Sequence, residues 1–358
     1  MAREPVSTRA RARRERLTAC AAGLLGEPVR LEPLPGSSGR SVLHRVLRPP
    51  GAPALLAKHF PRRDGARNAG GFGYLRERAG AGLVEAAPAV AGWCDEHRLV
   101  LVEDLGPLPD LGSLLRAAPP GPAVPAAARA WARALGAQAR PDPARAAELA
   151  ARLAAADPAA RDPGRLPSPG LAARGLERLL AGASPAQGAA VRAELAELPA
   201  LLRRGPHSCV STGDHSPANV LLGPAGPRFV DLEGTAHHHP ALAAAAVRGG
   251  WPLAEQPVLW GGATGEELLA EFLRGGGPAL RALAAEPRWP RLVALGGAHA
   301  VLTGLELCAA APDRARALAA WGARETAAQL PALAARLGHR ARERGTGRGP
   351  ARGRTIDR

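Results

Sequence analysis

The 358-residue chain has few aromatic side chains beyond its tryptophans: one Tyr and four Phe, and a single Met besides. A core must therefore be built from Leu, Val and Ala, which the 46% apolar content supplies, and the length allows one bilobal unit or two domains. Cysteine is equally sparse. Cys20, Cys94, Cys209 and Cys308 lie far apart with no C-x-x-C pair, which argues against a zinc site or a disulfide framework and fits a reducing cytoplasm. No apolar run approaches the ~18 residues a membrane span needs. Leu17-Thr18-Ala19-Cys20 has the form of a lipoprotein cleavage box, but arginines precede it where an apolar stretch belongs, so no signal peptide is expected. The scarcest functional residue is lysine: Lys58 is the only one, and every other basic side chain is Arg.

The formal net charge of +15 is concentrated at the ends. Residues 1–20 carry six Arg against two Glu, and residues 336–358 carry eight Arg against one Glu and one Asp, whereas residues 241–330 balance at eight against eight. The sequence thus reads as a basic flexible arm at 1–16 and a disordered Gly/Arg-rich tail at 338–358. Such tails touch anionic polymers only nonspecifically, so no specific nucleic-acid partner is expected.

Between these ends the pattern changes once. Residues 29–34, 42–47, 54–60 and 99–106 alternate or run apolar as strands do, with a Gly/Ser turn at 35–41 and a helix over Tyr74–Ala81. Beyond Gly106 the chain is Ala-rich with helical periodicity over 124–139, 144–156, 170–182, 185–203, 264–274, 290–311 and 313–337, broken by Pro-rich stretches. The expectation is an α+β, bilobal protein kinase-like fold. A small β-rich N-lobe spans 17–105, and a larger, mainly helical C-lobe spans 106–337.

One segment interrupts the helices. Residues 211–234, STGDHSPANVLLGPAGPRFVDLEG, place Asp214, Asn219 and Asp231 around a loop, a strand and a turn. An Asp that orients a nucleophilic hydroxyl, an Asn five residues later and a second Asp after a strand are what ATP-dependent phosphoryl transfer requires, the last two holding Mg2+. The alternative is a polar turn that uses Asx bonding before a strand. Lys58 lies in the third expected strand, where a compact point charge suits a slot between phosphates and a carboxylate better than a planar guanidinium does. Glu77, on the following helix, is its natural partner, with Glu85 as a competitor. The turn at 35–41 offers the backbone of Ser37, Ser38 and Gly39 to phosphate oxygens.

These residues resemble the aminoglycoside phosphotransferase/choline kinase family, whose signature runs H-G-D-x-x-x-x-N, then a strand, then D-x-E or D-x-G. Thr212-Gly213-Asp214, Asn219 and Asp231-Leu232-Glu233 stand at those places. Leu101-Val102-Glu103-Asp104-Leu105-Gly106 is similar to the interlobe hinge that receives adenine through its backbone, and Val84–Pro88 to the stretch before it. The resemblance covers roughly residues 30–310. It implies a cytoplasmic small-molecule kinase using ATP and Mg2+, with Asp214 catalytic. Lys58, Glu77 and the 37–39 turn would serve the phosphates, Glu103, Asp104 and Leu105 the base, and Asn219 and Asp231 the metal. The acceptor is a small hydroxyl compound whose identity the sequence leaves open, as it leaves the oligomeric state.

Three departures stand out. Thr212 replaces the usual His, Ala243 follows Pro240 where an acidic residue is common, and Gln138 stands where the family has L-H-x-L. Thr212 supports a second reading, a catalytically weak or inactive nucleotide-binding regulatory protein. Glu233 either supports the metal or caps the next turn. His237-His238-His239 reads as a loop bordering the cleft rather than a metal site, since consecutive side chains diverge. Trp251, Trp260, Trp289 and Trp321 suit either a cation-binding wall or the core.

Overall fold

The computed structural model describes residues 8–34, 41–61, 73–117, 123–160, 162–167, 169–251, 258–260, 262–342 and 354–356. The first lobe opens with helix α1 (Thr8–Leu25), then strands β1 (Arg30–Pro33), β2 (Val42–Leu47) and β3 (Leu55–His59), helix α2 (Tyr74–Gly80), and strands β4 (Val90–Cys94) and β5 (Leu99–Glu103). The five strands form one antiparallel sheet in the order β1-β2-β3-β5-β4.

Side-chain alternation along these strands sorts their faces. Leu55, Ala57, Leu99 and Leu101 join Leu17 and Ala21 of α1 in a buried cluster on one side of the sheet. Leu43, Leu56, Lys58 and Val102 face the cleft on the other. Lys58 enters the cleft because it is one residue out of phase with the core, paired in register with Leu43 and Val100.

Among the described residues, the second lobe has twelve α-helices, most of them around a much larger core. They begin with α3 (Leu111–Arg116), α4 (Ala123–Gln138), α5 (Pro143–Ala156), α6 (Pro169–Leu180), α7 (Pro185–Glu194), α8 (Leu198–Leu202), then, after the segment described below, α9 (Pro240–Gly249), α10 (Gly262–Gly275) and α11 (Gly277–Ala284). Helices α12 (Trp289–Leu307), α13 (Pro312–Thr326) and α14 (Pro331–Arg342) close the lobe. Between α8 and α9 lie β6 (Cys209–Ser211), the hairpin β7 (Val220–Gly223)–β8 (Gly226–Phe229) and β9 (Ala236–His238). Strand β9 pairs antiparallel with β6. Three short strands, β10 (Gly250–Trp251), β11 (Val258–Trp260) and β12 (Arg354–Ile356), form a separate sheet.

The arrangement is the expected bilobal α+β one, with corrections at its ends and joints. Helix α1 begins at Thr8, inside the segment read as a flexible arm, because Arg and Ala are strong helix formers whatever their charge. Helix α14 runs on to Arg342, and Arg354–Ile356 pairs in parallel with β11, both within the segment read as a tail. The helix expected over 313–337 is two, since Pro331 starts a new one. That over 185–203 is also two, the second with Pro199 in its first turn.

Small residues do what aromatics would do elsewhere. Helices α4 and α10 cross so closely that a Cβ on Gly136 would overlap the carbonyl oxygen of Phe272, and one on Gly275 would overlap that of Arg133. Both clashes are with backbone, which cannot swing aside. Gly136→Ala is therefore expected to destabilise the protein by about 1–3 kcal/mol, the usual cost of overpacking a filled contact. Chemical denaturation reads this as a lower midpoint at unchanged slope. An unchanged midpoint would mean that the crossing relaxes freely.

Candidate functional site

A cleft of about 300 Å³ lies between the lobes, with Leu43, Leu56, Pro88, Val102 and Leu221 on its apolar walls. Lys58, Glu77 and Asp231 stand at its polar end, and Glu103-Asp104-Leu105-Gly106 forms its rim. Lys58 is buried at 6% exposure, and its ammonium donates to Glu77 Oε2 at 2.9 Å and Asp231 Oδ1 at 2.5 Å. Burial alone would lower the lysine's pKa, but the two carboxylates outweigh it and hold the ammonium well above its ordinary range. The group stays charged. Glu85 is elsewhere, paired with Arg140 and Arg145, so Glu77 is the partner.

Asp231 sits in the left-handed region, φ 65° and ψ 69°, at the start of the 3-10 turn Leu232–Gly234. For a non-glycine residue that conformation costs about 1–3 kcal/mol and persists where the surroundings over-determine it. Here the turn is held from the other lobe. Gly73 N–H donates to Glu233 O at 2.8 Å, and the fully buried Arg76 guanidinium donates to Thr235 O at 2.6 Å and Arg165 O at 2.5 Å. A Cβ on Gly80 would lie 2.5 Å from Thr235 Oγ1, so α2 rests directly on this segment. Glu233 is itself part of the turn and buried there, and the helix that follows, α9, is capped by His239.

The β7–β8 hairpin delivers the asparagine. Its register pairs Val220 with Phe229, and Val230 N–H donates to Asn219 O at 2.9 Å, which sets Asn219 beside the residue preceding Asp231. Asp214 precedes the 3-10 turn Pro217–Asn219 and accepts Ser216 N–H at 3.1 Å on Oδ1, the Asx turn that the sequence allowed. Gly213 takes φ 69°, and a Cβ there would overlap Gly234 O, so the turn carrying Asp214 packs against the backbone of the turn carrying Asp231. Neither Asp214 nor Asn219 lines the cleft itself. They are joined to its polar end by these backbone contacts.

Asn219 and Asp231 are the side chains here that could hold a metal. Among the described residues, no three His, Cys, Asp or Glu side chains are grouped to hold an ion. One carboxylate and one amide leave most of an octahedral shell to phosphate oxygens and water, as Mg2+ prefers. The cleft's ammonium and its apolar walls are what a nucleoside polyphosphate would meet.

The acidic side chains of the hinge are already engaged. Glu103 accepts from Arg228 at 2.7 Å and from Ala89 N–H at 3.1 Å, which holds its carboxyl below the usual range. Asp104 accepts Gly106 N–H at 2.9 Å. The backbone N–H groups of Glu103 and Asp104 are engaged as well, donating to Ala89 O at 2.8 Å and Ala54 O at 3.0 Å, while Val102 and Leu105 line the cleft. Ser37, Ser38 and Gly39 lie outside the described residues.

The three consecutive histidines diverge, but not in a loop. Within and after β9, His237 turns toward Pro163 and Asp162, His238 toward Ser211, and His239 Nδ1 accepts Ala241 N–H at 3.2 Å to cap α9. Trp289 and Trp321 are buried, the latter donating to Gly249 O at 3.1 Å, so they belong to the core rather than to a ligand wall. Gln138 is buried and donates to Glu85 O at 2.9 Å, which braces the stretch before the hinge. Arg76 and the pairing of Ser211 with His238 are what the sequence did not reveal.

No family model and no curated protein matches the chain. Solved structures do. The two-lobed arrangement is similar to that of small-molecule kinases. The Plasmodium vivax ethanolamine kinase aligns over 87% of this chain and 82% of its own at 10% identity and TM-score 0.47. A choline/ethanolamine kinase family protein from Mesorhizobium loti aligns over 92% and 99% at 15% identity and TM-score 0.45. The amicoumacin kinase hAmiN, in complex with AMP-PNP, Ca2+ and Ami, aligns over 91% and 97% at 13% identity and TM-score 0.47. The chemistry of the cleft rests on its own residues.

Proposed function

We propose that this protein is an ATP- and Mg2+-dependent phosphotransferase that moves the γ-phosphate to a hydroxyl group of a small molecule. The observation that carries the reading is the buried Lys58 ammonium held between Glu77 and Asp231 at the polar end of an apolar-walled cleft. Lys58 grips the α- and β-phosphates, and Glu77 keeps it aimed. Asp231 and Asn219 would hold Mg2+, which supplies charge neutralisation for the phosphoryl group in flight. Asp214 takes the acceptor hydroxyl's hydrogen bond and orients its oxygen in line with the γ-phosphorus. Because phosphoryl transfer leaves little covalent work for a protein, positioning and fixed charge supply most of the rate. Residues 241–330 balance in charge, which does not favour a polycation, so a compact neutral or singly charged alcohol is the favoured acceptor class.

The test is a thermal-shift titration with ATP and Mg2+, followed by ADP formation across a panel of choline, homoserine, sugar alcohols and aminoglycosides. Saturation at 100 times the dissociation constant is expected to add about 2.7 kcal/mol of stability. At least one acceptor class should raise ADP formation. Absence of any nucleotide-dependent shift would overturn the reading. Stabilisation without turnover on any acceptor would favour the noncatalytic nucleotide binder to which Thr212 points.

A further inference from the structure

Two of the chain's departures from the phosphotransferase pattern fall close together. Thr212, one residue after β6, replaces the imidazole expected there, and its hydroxyl donates only to Asp214 O at 2.9 Å. Ala243, in the first turn of α9, replaces an acidic group and is fully buried with no polar side-chain atom to offer. Neither position carries the side chain common in that pattern. The structure fills the gap from a third direction.

Ser211, the last residue of β6, is fully buried, and its hydroxyl meets three partners. His238 Nε2 lies 2.7 Å away, His215 Nε2 3.0 Å away, and Gly213 N–H donates to it at 3.1 Å. Hydrogen-bond bookkeeping fixes the direction of each bond. His238 Nδ1 faces the carbonyl oxygen of His239 at 2.9 Å, so it carries the proton and Nε2 is an acceptor. The Ser211 hydroxyl therefore donates to His238, and its lone pairs accept from Gly213 N–H and from His215 Nε2–H. Both rings are buried at no more than 6% exposure, and burial pushes His238 down to about 4 and His215 to about 3, so each keeps one N–H and one lone pair at neutral pH. The chain of bonds has a single consistent orientation, from the His239 carbonyl through His238 and Ser211 to the backbone of Gly213.

Gly213 is the residue whose left-handed φ aims Asp214, and His215 immediately follows it. We propose that His238 and Ser211 form the positioning pair of the catalytic turn, an imidazole supplied from β9 that does the work of the one absent at Thr212. The pair touches neither nucleotide nor acceptor. It acts by fixing Gly213 and His215 on either side of Asp214, so its loss displaces the carboxylate rather than the phosphates.

This inference rests on the phosphotransferase reading, and the experiment separates the two. ADP formation from ATP and Mg2+, with and without the best acceptor, is measured beside ATP affinity and thermal midpoint for the wild-type protein, His238→Ala, His238→Gln and Ser211→Ala. Misplacement of a reacting group by ~1 Å costs up to about 10²-fold. The expected result is a kcat lowered about 10- to 100-fold in His238→Ala and Ser211→Ala, with ATP affinity within about twofold of wild type. His238→Gln, whose carbonyl can accept the Ser211 proton, should recover most of the loss. A His238→Ala enzyme with wild-type kcat would overturn the proposal. So would parallel loss of kcat, ATP affinity and thermal midpoint with no recovery in His238→Gln, the signature of a purely structural residue. If wild type neither binds nor consumes ATP, the phosphotransferase reading fails. The bond network is then judged by imidazole 15N shifts, which should show an unprotonated Nε2 in His238 and a protonated one in His215; the opposite tautomers would overturn it.

Discussion

Replacing Lys58 with methionine is expected to cost the protein both its activity and a measurable part of its stability, and to make that stability fall as pH rises. The side chain is 6% exposed, and its ammonium is the direct counter-charge that Glu77 and Asp231 share. Methionine fills nearly the same volume, so packing is largely kept, but two carboxylates are left facing each other with Glu233 nearby. Breaking a buried pair by removing one partner costs about 3–5 kcal/mol. Part of that cost is escaped by protonation. Burial already pushes the Glu77 carboxyl up, Asp231 adds to this, and Lys58 is what opposes them. Without the lysine the folded protein binds a proton at Glu77 that the unfolded chain does not. A carboxyl raised in the folded state contributes stability below its folded pKa, and this is lost as pH rises through that value. The variant should therefore lie closer to wild type at pH 5 than at pH 8 in denaturant midpoint. A pH-independent difference would mean that Glu77 stays ionised without its partner. Turnover should fall by about 10²- to 10³-fold, the cost of removing one fixed charge from a preorganised site.

Asp214→Ala is expected to have the larger effect on chemistry and almost none on folding. Asp214 is half-buried, and its carboxylate accepts Ser216 N–H. Losing an Asx bond of this kind costs about 1 kcal/mol. Losing the group that orients the acceptor hydroxyl costs about 10²- to 10⁴-fold in kcat. ATP affinity should survive, because Lys58, the cleft walls and the hinge are untouched. Single-turnover measurement of ADP formation at saturating ATP decides the matter. A variant that turns over acceptor at the wild-type rate would remove Asp214 from the chemistry and leave it the Asx turn alone.

The half of the site that comes from regular elements was legible in the sequence. Lys58 falls at a cleft-facing position of a strand whose alternation can be counted, and Glu77 falls on a helix with the right spacing after it. Asn219 and Asp231 could be read from their distance along the chain because a hairpin of fixed register joins them. What was hidden depends on tertiary contacts between short irregular pieces. Nothing marks Arg76 among so many arginines, since its role is set by two backbone carbonyls that reach it from distant residues. The His237–His239 run gave a signal but not its meaning, because a strand sends neighbouring side chains to opposite faces and only the pairing of β9 with β6 shows which ring meets Ser211. Strand β4 and helix α9 escaped notice for the opposite reason. Val90–Cys94 holds a Gly at a register shift, and Pro240–Gly249 is an Ala run too uniform to show a face.

The buried Arg76 carries a mechanical consequence. Helix α2 belongs to the small lobe by chain order, yet Gly73, Arg76 and Gly80 fasten it to the turn that carries Asp231. Its other side is fixed to the sheet, where Tyr74 packs with Phe60 and Val100 and donates to Asp95 at 2.7 Å. Helix α2 is therefore a rivet through both lobes, and the Lys58–Glu77 ion pair sits where it passes through.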